Sequence, residues 1–486
     1  MILVIAEKPS VAQTVAAALG VKQKNDGYIE GNGYLVSWCV GHLIGLAEAA
    51  AYGEQYKKWS YDSLPILPQE WKYTVAADKG KQFKVLKELM HRADVSEVVN
   101  ACDAGREGEL IFRFVYEVAG CKKPMRRLWI SSMEESAIKA GFASLKDGRE
   151  YDDLYSSALC RAKADWIIGI NATRLFSCLY NHTLNVGRVQ TPTLKMLADR
   201  DAAISTFKKE KYYHVRLMFS GAEAVSERLH TPDEADTLKT ACEASRAVCT
   251  SLVKEKKTTA PPKPHNEASL LSAMERAGNE ETDPDAERKG LGTPATRAAV
   301  IEKLVKDGFI ERKGKQLLPT KDGINLVCVL PETLTSPKLT AEWENNLTQI
   351  AKGKADPAGF MQGIEEMARE LVKTYPFLSD DKAQLFKPER VGLGKCPRCG
   401  SPVYEGKKNY YCSNKECGFA MWKNDRFFEE RKVTFSPKIA AALLADGKAN
   451  VKKLYSPKTG KTYAGSVVLA DTGGKYVNYR VELSKK

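Results

Sequence analysis

The chain opens on an apolar run, Ile2 to Ala6, passes through Glu7–Ser10, and continues from Val11 as apolar and small residues that stop at Gly20. A short apolar run bounded by polar residues predicts a strand buried on both faces, and the segment behind it a helix ended by its glycine. The same plan returns later. Val95 to Ala101 is largely β-branched and apolar, Asp103–Arg106 reads as a turn, and Glu107–Ala119 as a helix ending at Gly120. Strands alternating with helices predict a parallel sheet, and in such sheets ligands gather beyond the carboxyl ends of the strands. Glu7 and Asp103 both fall there.

Residues 151 to 200 show no strand alternation and read as helical, with arginine-bearing stretches at Arg161–Arg174 and Val186–Leu194. Residues 211 to 255 read as strands interrupted by a helix. Lys254–Pro264, KEKKTTAPPKP, is charged and proline-rich and predicts a linker or junction that continues neither element. From Thr293 a helix is predicted, with Thr293 as N-cap and Pro294 in the first helical position. Phe309, Ile310, Leu317 and Leu318 around Gly314 predict a short hairpin, giving a helix and wing of the winged-helix kind. No internal repeat stands out at solenoid periods.

With 486 residues the chain has room for two to four domains, each with its own core. Apolar residues at 43% and charged residues at 28% exclude wholesale disorder, and the length excludes a disulfide-stapled miniprotein. No uncharged apolar run reaches the roughly eighteen residues of a membrane span. Met1–Ala6 runs straight into Glu7 and Lys8 without a basic lead, unlike a signal peptide, so the expected location is the cytoplasm, with no membrane partner. Charge changes the picture more. The net charge is +13, and residues 382–486 carry 22 basic against 9 acidic side chains, while residues 1–381 balance at 52 of each. Tyr404, Tyr410, Tyr411, Phe419, Trp422, Phe427 and Phe428 are interleaved with the lysines. That mixture predicts a polyanion-binding tail with stacking platforms for unpaired bases; the bland alternative is a solvated lysine-rich end kept for solubility.

Two constellations carry candidate chemistry. Glu7, Asp103, Glu107 and Glu109 lie on neighbouring strand ends, where carboxylates can converge on a hard cation that keeps most of its waters, Mg2+ above all. Each acid also has a local explanation as a partner of a helix N-terminus, but Lys8 and Arg106 in the same turns suit a bound phosphate. Cys396, Cys399, Cys412 and Cys417 follow C-x2-C-x12-C-x4-C beside Gly400 and Gly418, the spacing of a tetrahedral structural Zn2+ site. Paired disulfides do not suit a chain without an export signal. The other cysteines, such as Cys39, Cys249 and Cys328, read as small core residues. His42, in GHLIGL, is a catalytic candidate whose commoner explanation is a satisfied core group.

AEKPSVAQ (Ala6–Gln13), ACDAGREGEL (Ala101–Leu110), RLWISSM (Arg127–Met133), DWIIGINATR (Asp165–Arg174), VGRVQTPTL (Val186–Leu194) and GLGTPATRAAVI (Gly290–Ile301) together resemble the bacterial DNA topoisomerase III family of type IA topoisomerases, in the family's order. The resemblance covers residues 1 to about 205 and 265 to 380 and implies an α/β Toprim domain with a Rossmann-like parallel sheet at 1–150. It further implies a mainly α DNA-groove domain beginning at 151–205, a remnant of the arch domain at 206–262, and a winged-helix and return part at 263–380. A zinc ribbon at 381–425 and a basic, β-rich C-terminal domain at 426–486 complete the partition. Glu7, Asp103 and Glu107 match the family's Mg2+ positions, with Lys8 near the scissile phosphate. Arg161, Arg174, Arg188, Gln190 and Arg297 match its DNA-binding positions. The implied activity is ATP-independent, Mg2+-dependent relaxation or decatenation by transient single-strand cleavage and strand passage, with single-stranded DNA the preferred partner.

Two departures follow. The family's acidic triplet is usually Asp-x-Asp-x-Glu, whereas here the middle position is Gly105, leaving Glu109 or water to complete the metal shell. The family's nucleophile, a tyrosine in a Tyr-Pro-Arg-Thr-like segment, has no counterpart between VGRVQTPTL and GLGTPATR. Tyr212 and Tyr213 lie in a different context, and Tyr375, in TYPFLSD, lacks the arginine. KKTTAPPK resembles the start of the missing stretch and passes directly into PHNEASLLSAMERAG, which resembles its end. Covalent cleavage needs its nucleophile. Three readings stay open: a type IA topoisomerase, with a second polypeptide supplying the missing domain; a non-catalytic single-strand binder; and a Toprim nuclease or primase-like enzyme.

Overall fold

The computed structural model describes residues 1–219, 221–244, 250–279, 290–376, 385–386, 392–474 and 476–483. The expected boundary at 380/381 and Cys249 lie outside these. The chain divides into two compact units, residues 1–386 and 387–486. No helix among the described residues is long and apolar enough to cross a membrane.

The first unit begins with β1 (Ile2–Ala6), α1 (Pro9–Ala18), β2 (Gln23–Asn25), β3 (Tyr28–Gly31) and β4 (Tyr34–Trp38), followed by the paired β5 (Ile44–Leu46) and β6 (Tyr73–Val75). Then come α2 (Gly80–His91), β7 (Glu97–Ala101), α3 (Arg106–Ala119), β8 (Met125–Arg127), α4 (Glu135–Ala143) and β9 (Lys146–Asp147). Seven strands form one sheet in the order β2-β3-β4-β1-β7-β8-β9. Its centre, β4-β1-β7-β8, is parallel, but both edges are antiparallel, so the sheet is mixed and not wholly parallel as expected. At the β2-β3-β4 edge the reason lies in two tight turns, Asp26-Gly27 and Asn32-Gly33, since a two-residue connection can join only antiparallel neighbours. Asn32 and Gly33 both take positive φ, 48° and 81°, as a twist-matched hairpin turn demands. Along β1, Leu3 and Ile5 pack with α2 and α3 on one face, while Val4 and Ala6 pack with α1 and α4 on the other. A strand buried on both faces reads as an unbroken apolar run.

The helical body follows: α5 (Asp152–Tyr180), α6 (Gln190–Ser205), a three-stranded sheet of β10 (Lys211–Phe219), β11 (Ala222–Val225) and β12 (Ser251–Thr258) with α7 (Pro232–Ala244) against it, and α8 (Glu267–Arg276). It closes with α9 (Pro294–Lys306), the β13 (Ile310–Lys313) and β14 (Gln316–Pro319) hairpin, α10 (Lys321–Val329), α11 (Glu332–Thr335), α12 (Lys338–Ala351) and α13 (Pro357–Thr374). The 29-residue α5 is the spine, with Ala158 in the core of the first sheet and Ile167, Ile168, Leu175 and Phe176 in the core of the body. The helix and hairpin expected after Thr293 are present, and the Thr293 backbone N–H donates to Thr296 Oγ1 at 2.9 Å. The junction is a partial miss. Lys254–Thr258 belong to β12, paired along β10, because a neighbouring strand supplies hydrogen bonds that local composition does not reveal. Beyond it the Thr259 N–H donates to the Glu210 carbonyl at 2.9 Å, so the small sheet's entry and exit meet.

The second unit is built on two small sheets. Strands β15 (Gly394–Lys395), β16 (Pro402–Glu405), β17 (Asn409–Cys412) and β18 (Ala420–Trp422) form an antiparallel sheet in chain order. Helices α14 (Arg426–Glu430) and α15 (Pro437–Asp446) lead to a second sheet of β19 (Lys448–Tyr455), β20 (Thr462–Leu469) and β21 (Tyr479–Leu483). Both sheets share one core, from Val403 and Tyr410 through Phe428 to Leu454 and Val467, and the Arg398 guanidinium donates twice to Asp471, at 2.6 Å each.

Candidate functional site

The register of the sheet brings the acids together. β1 and β7 run parallel with Ala6 opposite Ala101, so Glu7 and Asp103 leave adjacent strand ends on the same rim. Glu7 is buried, Asp103 exposed. Burial, then the Asp103 charge, pushes the Glu7 carboxyl above its ordinary range, against the pull of Lys8, whose Nζ stands 3.4 Å from Glu7 Oε1. Two carboxylates that oppose each other's ionisation form a donor set that a divalent cation relieves, and oxygen ligands suit Mg2+. Glu107 follows in the first turn of α3, half-exposed, with Oε1 2.7 Å from His42 Nε2 and Oε2 3.8 Å from Arg161 Nη1.

The turn that carries Asp103 is held from below. Arg127 is fully buried, and its Nη2 donates to the Asp103 carbonyl at 2.7 Å and its Nη1 to the Cys102 carbonyl at 2.7 Å. Helix α3 reaches this turn only because residue 108 is glycine: a Cβ there would lie 2.1 Å from the Asp103 carbonyl oxygen. Gly105, by contrast, has φ 171°, extended backbone open to other residues.

Two expectations are corrected here. Glu109 does not complete the metal shell. It is fully buried beneath the turn, accepting from Arg113 Nε at 2.9 Å and Asn100 Nδ2 at 2.9 Å, with Arg127 Nε 3.1 Å away. Helical geometry explains this, since residues 107 and 109 are two apart and face different ways. Arg106 does not face a phosphate beside Lys8 either; it is buried, and its Nη2 donates to Glu344 Oε2 on α12 at 2.6 Å. A buried guanidinium requires a carboxylate, and only the tertiary fold supplies one.

The arginines gather around that same Glu344. Arg161 Nε stands 3.6 Å from Glu344 Oε1 and 3.8 Å from Asp165 Oδ2. Arg188, buried, donates from Nε and Nη2 to the two oxygens of Asp165 at 2.7 and 3.2 Å, stands 3.6 Å from Glu344 and lies over the Trp343 ring. Gln190 opens α6 and is buried. Arg297 is buried and donates from Nε to the Leu291 carbonyl at 3.1 Å. Arg174 sits apart, packed over the Trp59 ring, with Nε and Nη1 lacking hydrogen-bond partners; burial holds its pKa below the usual arginine value. Glu107, Arg161, Asp165, Arg188, Glu344 and Arg106 thus form a continuous ionic chain from the acidic rim into the helical body. The tyrosines considered above pack elsewhere: Tyr212 under Arg228, Tyr213 under Lys254, and Tyr375 against Phe176.

In the second unit Cys396, Cys399, Cys412 and Cys417 bring their sulfurs within 4.8 Å of one another, as four thiolates around one tetrahedral Zn2+ require. Hydrogen bonds from Ser401 hold the Cys399 thiol down at about 6, while burial pushes Cys412 up to about 12. The aromatic platforms are corrected in part: Tyr410, Phe419 and Phe428 are buried core side chains, Tyr404, Tyr411 and Phe427 are half-buried, and Trp422 is exposed.

Sequence reasoning missed Glu344 and Gly108, and it favoured a core group for His42, which is instead exposed beside Glu107. Gly108 stands inside a helical stretch, where glycine is costly without a reason. Glu344 carried no signal.

Residues 2–133 match the Toprim domain family, and residues 149–258 and 248–362 match the DNA topoisomerase family. With the acidic rim, these define a Toprim protein continued by a topoisomerase body. DNA topoisomerase 3 of Shouchella clausii (strain KSM-K16) is 30% identical over 647 aligned positions, covering 87% of this chain and 88% of that protein; DNA topoisomerase 3 of Bacillus subtilis (strain 168) is 29% identical, covering 86% and 87%. Full-length topoisomerase I of Thermotoga maritima shares the fold, with a TM-score of 0.56 at 17% identity over 86% of this chain and 97% of its own. The chain belongs to the DNA topoisomerase 3 family. The 647 aligned positions exceed its 486 residues by 161, so at least that many positions of the Shouchella protein have no counterpart here.

Glu109→Ala leaves Arg113 and Arg127 buried with less compensation, and is expected to cost about 3–5 kcal/mol in urea unfolding of the first unit. Metal analysis is expected to give one Zn2+ per chain, lost on Cys396→Ser. Because thiolates must shed protons to bind, retention falls as pH drops, read as zinc released to a chromogenic chelator.

Proposed function

We propose that this chain is a DNA-binding member of a topology-changing family that prefers single strands and, on its own, does not cleave them. The observation that carries the metal reading is the convergence of Glu7 and Asp103 on one rim; Glu107, in the first turn of α3, has its carboxylate on His42 and Arg161. Those three would hold Mg2+, which when bound supplies positive charge against a DNA phosphate; Lys8, exposed beside Glu7, adds a second cation for that phosphate. Arg161 and Arg188 line the route away from the rim. Their present partners are carboxylates, and phosphate competes for guanidinium with the same bidentate geometry.

The loss of cleavage rests on the join. The alignment to the Shouchella protein leaves at least 161 of its positions without a counterpart in this chain, the match to the topoisomerase body comes as two segments that overlap at residues 248–258, and we read the tyrosine segment as lost where KKTTAPPK meets PHNEASLL. A phosphotyrosine intermediate stores the bond energy that makes ATP unnecessary, so without the tyrosine neither cleavage nor resealing proceeds. A second polypeptide carrying the segment would complete the enzyme. We keep the six-part division at 150, 205, 262, 380 and 425 and a cytoplasmic location as part of this reading.

With Mg2+ and no ATP, the purified chain is expected to leave negatively supercoiled plasmid unrelaxed while shifting single-stranded oligonucleotides more strongly than duplexes. Relaxation would overturn the first half, equal affinity for both forms the second, and nicking without resealing would favour the Toprim nuclease. Gly105→Asp restores the family's middle carboxylate on backbone that accepts it, and is expected to tighten Mg2+ binding on the order of tenfold by calorimetry.

A further inference from the structure

β8 pairs with β7 as far as Asn100 opposite Arg127, so the carbonyls of Cys102 and Asp103 lie past the ladder that would otherwise engage them. Backbone groups at such a place need partners. Arg127, the last residue of β8, supplies them: its Nη1 donates to the carbonyls of Cys102 at 2.7 Å, Leu128 at 3.0 Å and Asn100 at 3.1 Å, and its Nη2 to that of Asp103 at 2.7 Å. One planar guanidinium thus stands in for a strand beneath the turn that aims Asp103. Asn100 completes the frame, its Oδ1 accepting from the Cys102 N–H at 3.0 Å and its Nδ2 donating to Glu109 at 2.9 Å. The charge that this places in the core is met by Glu109, 3.1 Å from Arg127 Nε, and the stacked rings of Trp129 and Tyr151 lie 5.1 and 6.0 Å from the guanidinium carbon. An arginine kept only as a core strut needs a carboxylate; the added row of backbone acceptors, two of them on the Asp103 turn, points to a role in shaping that turn. Mg2+ demands near-ideal octahedral geometry and gives up its waters reluctantly, so its affinity depends on how closely the groups behind its ligands hold them in advance.

We propose that Arg127 is a positioning residue of the acidic rim, holding the Cys102–Asp103 backbone in its metal-binding form before the ion arrives. The proposal rests on the metal reading above and adds a fully buried residue that acts only through Asp103. What the rim requires is the planar fork and not the charge alone: a lysine presents its three donors from a single atom and cannot span both carbonyls and Glu109 together.

The test titrates the full, DNA-free chain with Mg2+ by calorimetry, and with Mn2+ followed by electron paramagnetic resonance. Arg127→Lys and Arg127→Gln are each expected to weaken Mg2+ binding about ten- to a hundredfold. Arg126→Lys, exposed on the same strand, is expected to bind as the wild type does. Circular dichroism confirms that each variant folds. Hydrogen exchange on the wild-type chain reads the same point without a substitution: the amides of residues 102–106 are expected to be as protected before Mg2+ is added as after it. Where a variant does not fold, the exchange experiment decides. Wild-type affinity in Arg127→Gln, or a turn protected only once Mg2+ is present, overturns the proposal and leaves the metal reading intact. Full affinity in Arg127→Lys with loss in Arg127→Gln shows that charge alone suffices and overturns the role of the fork. No Mg2+ binding by the wild-type chain overturns the metal reading itself, and the proposal with it.

Discussion

Glu344 is 3% exposed and has three guanidinium groups around it, Arg106 at 2.6 Å and Arg161 and Arg188 at 3.6 Å. These come from α3, α5 and the segment before α6, so one carboxylate on α12 ties the carboxyl-end rim of the seven-stranded sheet to the helical body. Removing one partner of a buried ion pair leaves an uncompensated charge, which costs more than the pair contributes. The rim acids therefore keep their place relative to the body because charge must balance at Glu344, even though apolar packing supplies most of the burial.

The same balance bears on how DNA is met. Around the ionic chain stand three guanidinium groups, Arg106, Arg161 and Arg188, and three carboxylates, Glu107, Asp165 and Glu344. In the proposed DNA-binding reading, a phosphate reaching these guanidinium groups would have to displace a carboxylate, an oxygen acceptor of similar geometry. At the rim the imbalance runs the other way. Glu7 and Asp103 repel, Lys8 offsets them only in part, and the proposed dication would relieve that repulsion. Gly105 leaves that donor set one carboxylate short of the family's pattern.

Several elements were open to reading from residue order. The apolar run of β1, the capped start of α9 and the CxxC spacing follow from local rules, because the residues that decide them are neighbours in sequence. The junction at 254–264 misled because β10, some forty residues away, makes a strand of half of it. Glu109 and Arg106 misled for a related reason: both flank Glu107 in a conspicuous motif, but helical geometry turns one inward to Arg113 and Arg127 and the other toward α12.

What residue order determined by itself was membership and inventory: a Toprim motif with its acids, four thiols at zinc spacing, and a cationic end. Those signals are short-range, carried by spacing and composition. Which acid stays free for a cation, which arginine is consumed as a strut, and which aromatic of the tail keeps an open face were decided only in three dimensions. Each depends on a partner distant in the chain, such as Glu344 for Arg106 or the shared core that engulfs Tyr410 and Phe428 while leaving Trp422 at a sheet edge.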